Sequence, residues 1–285
     1  MPEIPFIETL IANLIPRVTG RTLRGIQVRS PSVVKSVDPP LSAAQGETIE
    51  SLRRRGKLLL FGLTGDLVLI VHLKRDGRLT LTPVRQRPTR DVAVVLALHD
   101  GTDLRLIEIG PKKRAGLWLR RSAEVESTEP VAGLGLEPLS EEFTPEALGA
   151  MLVRAGMQVK RFLGAQRYLA GVGNAYGDEI LWEAHLSPFA ATQTLSPEER
   201  ARLFAAIREV LIRSVREHRA HFGDDLPMRE PPALLRVHRK AGEPCPRCGT
   251  PVAAVYYSEK ETYYCPTCQT RGKVYADRRL SRLLR

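Results

Sequence analysis

The sequence predicts an α+β fold, with an N-terminal β-sandwich, a helix that precedes it, and a helical C-terminal domain that ends in a small cysteine-containing module. Between Thr19 and Leu119, short apolar blocks alternate with turn residues, which is typical of strands. After about residue 143, apolar residues recur at helical spacing. All four cysteines lie between Cys245 and Cys268. At 285 residues, the chain is long enough for two domains that each bury a core.

The charge balance is strongly basic. The chain has 43 lysines and arginines against 32 aspartates and glutamates, a net charge of +11 and a pI near 9.8. This balance indicates a protein that binds a polyanion, most often nucleic acid, although a basic protein without such a partner is the alternative. No apolar run is long enough to cross a membrane, and the first residues lack the pattern of a secretory signal. We therefore expect a cytoplasmic protein, associated with the nucleoid if the source is bacterial.

A helix is predicted to begin the chain. Ile7, Leu10, Ile11 and Leu14 recur at the three- and four-residue spacing that places side chains on one side of a helix. Pro16 lacks the backbone N–H that a helix interior requires, so we expect the helix to end there.

Two β-hairpins are predicted after this helix. Each consists of two apolar blocks that flank a short turn, and the blocks are apolar at consecutive positions. Strands that are apolar on both faces suit a sandwich of two layers. The predicted strands are 57–61 and 67–71 in the first hairpin, and 92–98 and 104–109 in the second.

The chain changes character between residues 123 and 142, where glutamate, proline and glycine are frequent and periodicity is weak. We predict a linker there, because such residues favour turns over regular structure. It would separate an N-terminal domain at 1–122 from a helical domain at 143–235. The cysteine-containing module and a basic tail would then occupy residues 236–285.

Two helix starts are recognisable in the second half of the chain. Thr144 and Pro145 are predicted to open one helix whose apolar side runs from Leu148 to Phe162. The stretch from Ser196 to Glu199 matches a capping box, with proline at the first helical position. Both starts support the helical assignment of this half.

The cysteines predict a metal site. Cys245 and Cys248 form one C-x2-C pair, and Cys265 and Cys268 form another after sixteen intervening residues. This spacing is typical of a zinc ribbon, because two such pairs complete a tetrahedral shell of thiolates. Four protein ligands leave no position open for water, so the single Zn2+ is expected to be structural. Two disulfides or an iron–sulfur cluster are the alternatives for these cysteines.

The first residues could carry chemistry. If Met1 is removed, Pro2 becomes the N-terminus and its ring nitrogen becomes a secondary amine. An α-amino group titrates near pH 7.7–8.0, so part of it is an unprotonated nucleophile at neutral pH. Glu3, the next residue, is placed to transfer a proton in the same step. The alternative is an ordinary frayed terminus.

A glycine-containing loop lies between two helical stretches. Gly171 and Gly173 allow the backbone to approach a ligand closely. Asn174 follows them at the start of the next predicted helix, where a phosphate could meet its side chain. An ordinary corner between two helices is the alternative.

Five stretches occur in an order that resembles the formamidopyrimidine-DNA glycosylase / endonuclease VIII family of base-excision enzymes. They are the start Pro2–Pro5, the hairpin segment Arg54–Lys57, the tract Leu134–Leu139, the loop Gly171–Asn174 and the four-cysteine ribbon that ends at Cys268-Gln269. The resemblance covers nearly the whole chain. It implies a helix–two-turn–helix DNA-binding domain before the ribbon and a protein that acts as a monomer.

The resemblance also implies an activity, which is removal of damaged, oxidised bases from double-stranded DNA and cleavage at the abasic site. The damaged nucleotide would be flipped out of the duplex. Pro2 would attack C1′ of the sugar and form a Schiff base, and Glu3 would help to open the deoxyribose ring. Lys57 would contact a phosphate beside the lesion and assist proton transfer.

The same resemblance assigns DNA contacts. His72 and Asn174 would bind phosphates that flank the lesion. A lysine at the start of an apolar strand often only extends its ammonium to solvent, and a histidine at a strand end is often structural. These remain the alternatives for Lys57 and His72.

Several residues depart from the family pattern. Phe6 stands where the family usually has a second glutamate. Arg75 stands at the position of an apolar wedge, and Arg114 at that of a stacking phenylalanine. Lys113 replaces an arginine that reads the opposite base, and Lys260 replaces a phosphate-binding arginine at the ribbon tip. A lysine keeps the charge but loses the planar fork that binds phosphate with two parallel hydrogen bonds.

Two other classes of function remain open. One is a non-catalytic protein that binds damaged DNA and keeps the glycosylase scaffold. The other is a zinc-ribbon protein that binds RNA or the chromosome without flipping a base. The chain beyond Gln269, which runs through Lys273 to Arg285, could add a short basic helix that touches DNA, or a solvated tail.

Overall fold

The computed structural model describes residues 1–110, 113–257 and 260–275 of the chain. The chain divides into two compact units. The first contains residues 1–133 and 218–230, and the second contains 134–217 and the residues from Pro231 onward. Among the described residues, no helix is long and apolar enough to cross a membrane.

The first unit begins with helix α1, Ile4–Val18. The expectation that this helix ends at Pro16 is wrong, because Pro16 lies inside it. A proline at this position removes only the N–H that would bind the carbonyl of Ala12. Leu14 and Val18, on either side of it, are fully buried in the core, and their burial outweighs the lost hydrogen bond.

Two four-stranded antiparallel sheets follow α1. Apolar side chains of α1 and of both sheets form one buried cluster, so the sheets pack as a sandwich covered by the helix. This confirms the predicted N-terminal architecture and both hairpins. The strands are β1 (Leu23–Val28), β2 (Ile49–Arg55), β3 (Leu58–Leu63), β4 (Leu67–His72), β5 (Gly77–Pro83), β6 (Val92–Leu98), β7 (Thr102–Glu108) and β8 (Gly116–Arg121). The sheet orders are β1-β6-β7-β5 and β2-β3-β4-β8.

The second unit is helical and carries a two-stranded ribbon. The helix expected from Thr144 through Phe162 is instead two helices, because Gly156 adopts the left-handed conformation, with φ of 53°. The capping box is confirmed, since Ser196 and Glu199 exchange hydrogen bonds of 3.0 and 3.2 Å. The elements are α2 (Pro145–Ala155), α3 (Val159–Leu163), α4 (Asn174–Glu183), α5 (Pro197–Phe222), β9 (Ala253–Tyr257), β10 (Lys260–Tyr264) and α6 (Pro266–Thr270).

A buried carboxylate on α4 joins three parts of the second unit. Asp178 is fully buried, and one of its oxygens lies 2.5 Å from the Lys160 ammonium of α3. The same oxygen accepts the Tyr263 backbone N–H of β10, at 3.2 Å. The other oxygen lies 2.7 Å from Nδ1 of His238. These hydrogen bonds offset part of the free-energy cost of burying the Asp178 side chain.

The next residue, Glu179, performs a similar role with backbone donors. Its carboxylate accepts the backbone N–H groups of Arg236, Val237 and His238 at 2.8 to 3.0 Å. Burial raises the pKa of Glu179, and these three hydrogen bonds act in the opposite direction. The two carboxylates therefore fix the segment that leads into the ribbon against α4.

Candidate active site and metal centre

The start of the chain passes directly from solvent into a buried environment. Met1 is 55% exposed, whereas Pro2 is buried and Glu3 is only 4% exposed. Glu3 occupies the N-cap position of α1, and its carbonyl accepts the backbone N–H of Ile7 at 3.0 Å. The terminus is therefore held by the helix and is not frayed.

Four charged side chains act on the terminal amine, which here is the α-amino group of Met1, the residue before Pro2. Burial is the main cause that lowers the pKa of the Met1 α-amino group below its ordinary value of 8.0. The charges of Lys57 and Arg78 lower this pKa further, whereas those of Glu3 and Glu230 raise it. A lowered pKa increases the unprotonated, nucleophilic fraction of an amine at neutral pH.

Lys57 lies in the turn between β2 and β3 and is 5% exposed. Helix α1 supports this turn through Arg54. The Arg54 Nε lies 2.6 Å from the Glu8 carboxylate, and Nη1 donates to the Gly56 carbonyl at 2.9 Å. Lysines are rarely buried to this degree unless they are paired or functional, so solvent extension does not describe Lys57. Its turn is tied to the helix that begins at the terminal amine.

His72 ends β4, opposite Leu58 in the β3 register and therefore beside Lys57. Burial, together with the charges of Lys74 and Lys57, lowers the pKa of His72 to about 3. The Nδ1 atom accepts the Lys74 backbone N–H at 2.9 Å. The imidazole is therefore neutral at physiological pH and carries its proton on Nε2, where it can donate to a phosphate oxygen.

This low pKa has a measurable consequence for stability. Between its ordinary pKa of 6.5 and about 3, His72 is protonated in the unfolded chain but neutral in the folded one. The free energy of unfolding should therefore fall with decreasing pH, by up to about 1.4 kcal/mol per pH unit from this residue. We expect His72→Gln to lose less stability than the native protein between pH 6.5 and 4.5, as measured by urea denaturation. Parallel losses in both proteins would contradict the assignment.

Arg75 lies at the tip of the turn between β4 and β5 and is exposed. The turn is tight, because a Cβ atom on Gly77 would come within 2.4 Å of the Leu73 carbonyl oxygen. Arg78 follows the turn, and its guanidinium binds the carbonyls of Arg75, at 3.3 Å, and Met228. The predicted wedge residue is thus presented to solvent on a tight turn.

The other insertion loop holds its two basic residues differently. Lys113 directs its ammonium to the Glu108 carbonyl and lies 3.7 Å from the Asp91 carboxylate. Arg114 is exposed, and its backbone N–H binds the Glu108 carboxylate at 2.8 Å. Pro111 and Lys112 lie outside the described residues. Contact between Lys113 and a base would require release from Asp91.

Asn174 begins α4 in the second unit. Its side-chain amide donates to the Glu261 carbonyl of β10 at 2.9 Å, which uses one of its two N–H groups. Gln166 shapes the preceding loop, because its side chain accepts the Gly171 N–H at 2.9 Å and donates to the Val172 carbonyl at 2.6 Å. The loop that leads to Asn174 is therefore held by defined contacts.

The four cysteines form a compact cluster in which all the sulfur atoms lie within 4.8 Å of one another. The Cys248 and Cys265 sulfurs are 3.4 Å apart, and those of Cys245 and Cys268 are 3.9 Å apart. Four thiolates at about 2.3 Å from one zinc ion are roughly 3.8 Å apart, whereas a disulfide requires about 2.05 Å. The donor set fits one structural Zn2+. Trp182 adds a hydrogen bond to the Cys245 sulfur at 3.3 Å.

The sequence assigns two further regions to DNA, the ribbon tip and the basic tail. Residues 258–259 at the ribbon tip, the Lys260 side chain and residues 276–285 of the basic tail lie outside the described part of the chain. The role of Lys260 therefore stays a prediction. The backbone of β10 does place Lys260 at the first position of its strand, opposite Tyr257.

Sequence patterns did not point to Arg78 or Glu230, although both charges act on the terminal amine. Arg78 stands one residue after the turn glycine, in a strand whose pattern indicates only packing. Glu230 lies in an irregular segment without periodicity. Only the three-dimensional path of the chain assigns these two residues to the site.

Sequence models of three domains match successive parts of the chain. The formamidopyrimidine-DNA glycosylase N-terminal domain matches residues 1–111, and the helix–two-turn–helix domain of the same enzymes matches residues 134–223. A zinc finger found in these glycosylases and in isoleucyl-tRNA synthetase matches residues 242–271.

Curated relatives are similar over almost their full length. The formamidopyrimidine-DNA glycosylase of Symbiobacterium thermophilum is 38% identical over 279 residues, which cover 94% of this chain and 89% of the relative. That of Thermus thermophilus is 36% identical over 279 residues, which cover 95% of this chain and all of the relative.

Solved structures share the fold. The MutM (Fpg) protein of T. thermophilus superposes with a TM-score of 0.81 at 34% identity, covering 94% of this chain and 98% of that one. Lactococcus lactis Fpg in complex with DNA that contains an oxidised pyrimidine gives a TM-score of 0.85 at 26% identity, covering 94% and 100%. Three matching domains in order, relatives that match over nearly their full length and a shared fold lead to one conclusion. The chain belongs to the formamidopyrimidine-DNA glycosylase family and is a DNA repair glycosylase.

Proposed function

We propose that this protein excises damaged, oxidised bases from double-stranded DNA and cleaves the strand at the abasic site, with Pro2 as the nucleophile once Met1 is removed. The observation that carries the proposal is the burial of Pro2 and Glu3 at the start of α1 and of Lys57 in the turn between β2 and β3, whose charge acts on the amine at the start of the chain. Burial of an amine, a carboxylate and an ammonium costs free energy, which a purely structural terminus would avoid.

In the first step, the lone pair of the Pro2 amine forms a bond to C1′ of the flipped nucleotide. The bond between C1′ and the base breaks, and its electron pair leaves with the base, which takes up a proton. The Pro2 nitrogen then loses its proton, and its lone pair expels the ring oxygen O4′. Glu3 donates a proton to O4′, so C1′ and the nitrogen remain joined as a cationic iminium.

In the second step, loss of a proton from C2′ gives an enamine, whose electrons expel the phosphate from C3′ and break the strand. Water then hydrolyses the iminium and releases Pro2. Lys57 binds a phosphate beside the lesion and assists these proton transfers, since its charge already acts on both the terminal amine and His72. The bound phosphate would compensate the buried ammonium.

The remaining predicted residues bind the duplex. The neutral His72 donates Nε2–H to a phosphate oxygen, and Asn174 and Lys260 bind phosphates from the second unit. Arg75 enters the space that the flipped base leaves, and its exposure and the ability of a guanidinium plane to stack on bases support this role. Arg114 and, after release from Asp91, Lys113 contact the opposite strand. The L. lactis relative was crystallised with abasic-site DNA, which supports this class of partner.

We also propose that the protein acts on DNA as a monomer in the cytoplasm. A net charge of +11 favours association with a polyanion and opposes self-association of like-charged copies. Light scattering of the purified protein would test the monomer, and a constant dimer mass would contradict it.

Borohydride trapping on an abasic-site duplex tests the proposed chemistry. Borohydride reduces an iminium to a stable amine, so we expect a covalent protein–DNA adduct on the N-terminal peptide. Pro2→Gly should weaken the adduct, because a primary glycine amine replaces the secondary amine. Mass spectrometry of the intact protein should show the loss of Met1.

A suitable control blocks the terminus without changing the site residues. Acetylation of the α-amino group should abolish the adduct while duplex binding persists. A native protein that binds the duplex without forming an adduct at any pH would instead support a non-catalytic damage-binding protein.

A further inference from the structure

The carboxylates beside the terminal amine come from two distant parts of the chain. Within α1, all of which the structure describes, the first turn carries no acidic residue. Phe6 in that turn is a buried core residue, and Glu8 is paired with Arg54. Among the described residues, Glu230 joins Glu3 as a carboxylate whose charge acts on the α-amino group of Met1, the residue before Pro2.

The segment that carries Glu230 is fixed to α1 by backbone carbonyls. The Asn13 side-chain amide donates to the carbonyls of Gly223, at 2.8 Å, and Asp225, at 2.7 Å. Arg17, one turn further along the helix, donates to the Asp224 carbonyl at 2.7 Å. The turn after α5 therefore lies against the C-terminal half of α1.

From the C-terminal half of α1, the segment from Asp225 to Glu230 is long enough to reach the N-terminal end of the helix. Arg78 binds the Met228 carbonyl, and its charge also acts on the terminal amine. The helix between Ile4 and Asn13 is about 14 Å long at 1.5 Å per residue. Five residues of extended chain span up to about 17 Å, so the path from Asp225 to Glu230 is long enough.

A buried histidine orients the Glu230 carboxylate. His218 is completely buried, and its Nε2 lies 2.8 Å from one Glu230 oxygen. A carboxylate only accepts hydrogen bonds, so the histidine is the donor. The Glu230 side chain itself is 26% exposed. One oxygen is thus bound while the group keeps access to solvent.

We propose that Glu230 is the second carboxylate of the active site, where its negative charge stabilises the cationic iminium that Pro2 forms with the sugar. This inference rests on the proposed function. An iminium on a secondary amine has no N–H to lose, so its positive charge cannot be relieved by deprotonation. With Lys57 and Arg78 nearby, Glu3 alone leaves an excess of positive charge. Glu230 restores the balance, with His218 as its positioning residue.

The test compares Glu230→Gln with Glu230→Asp and with Glu124→Gln. Glutamine keeps an oxygen that can accept the His218 hydrogen bond but removes the charge, whereas aspartate keeps the charge. Glu124 is a control in the same unit, because its ion pair with Arg121, at 3.6 Å, lies outside the site. The measurements are borohydride-trapped fraction against pH, affinity for an uncleavable abasic-analogue duplex, and melting temperature.

Two results are expected of Glu230→Gln. The trapped fraction should fall by about tenfold, which is the size of effect that one charge several ångströms away exerts in a partly buried site. In the plot of trapped fraction against pH, the acid limb is the rise that occurs as the amine loses its proton. This limb should shift to lower pH, because an amine without the Glu230 carboxylate loses its proton more readily. Glu230→Asp should recover most of the trapped fraction, and Glu124→Gln should behave like the native protein.

The trapping results distinguish an error in the role of Glu230 from an error in the proposed function. If Glu230→Gln traps as the native protein does, with an unmoved acid limb, the role of Glu230 is overturned while the nucleophile stands. A lower melting temperature with an unmoved acid limb overturns that role as well, since this pattern reports only structure. If the native protein itself forms no adduct, both proposals fail.

Discussion

Glu3→Gln is expected to lower the single-turnover rate of base removal by about 10²–10⁴-fold, the range that general acid–base catalysis supplies. Glutamine matches glutamate in size, so the N-cap of α1 and the buried setting of Pro2 should persist. It cannot donate the proton that O4′ needs when the sugar ring opens. The measurement is release of an oxidised base from a duplex with enzyme in excess.

The same variant should lose much less activity on a duplex with a preformed abasic site. The sugar of such a site opens spontaneously, so Pro2 can attack the free aldehyde without ring opening assisted by Glu3. Glu124→Gln again serves as the control. Equal losses on the two substrates would show that Glu3 acts only by supporting the fold or the position of Pro2.

Loss of the zinc ion is the second change for which we expect a large effect, on the structure of the ribbon and on DNA binding. Replacing the buried Cys265 with alanine removes one of four thiolates, and Zn2+ binding supplies about 10–16 kcal/mol to ribbons of this kind. A two-stranded hairpin is marginal by itself, so β9 and β10 should lose their structure. We expect one zinc per native chain by elemental analysis, less than one in the variant, and lost affinity for duplex DNA.

Cys248→His is the matched variant for this experiment. Cys248 is exposed, so an imidazole can be accommodated, and three thiolates with one histidine form a familiar zinc shell. This variant should keep both the zinc and the affinity for DNA. If Cys265→Ala bound DNA as tightly as the native protein, the ribbon would have no part in DNA binding.

Features that depend on local sequence were predictable. The strands of both hairpins follow from consecutive apolar residues, since both faces of each strand are covered in a sandwich. The metal site follows from the spacing of Cys245, Cys248, Cys265 and Cys268, because the spacing itself carries the geometry. The capping box at Ser196 is likewise a local exchange of hydrogen bonds.

Features that depend on a balance of forces, or on distant parts of the chain, were not predictable. Pro16 remains within α1 because burial of its neighbours outweighs one lost hydrogen bond. Gly156 breaks a helix that the apolar pattern alone would continue. The positions of Arg78 and Glu230 beside the amine follow from the path of a segment that has no pattern of its own. Contacts between residues that are distant in the sequence produce no recognisable pattern in the local sequence.

The division of the first unit into two stretches affects how the protein is made. Residues 1–133 leave the ribosome first, whereas 218–230 follow only after most of the second unit. Until then, the sandwich lacks the carbonyl groups that receive Asn13, Arg17 and Arg78. A nascent chain or proteolytic fragment that stops before residue 218 therefore lacks the partners of these three side chains. The first unit acquires its full set of contacts only late in translation.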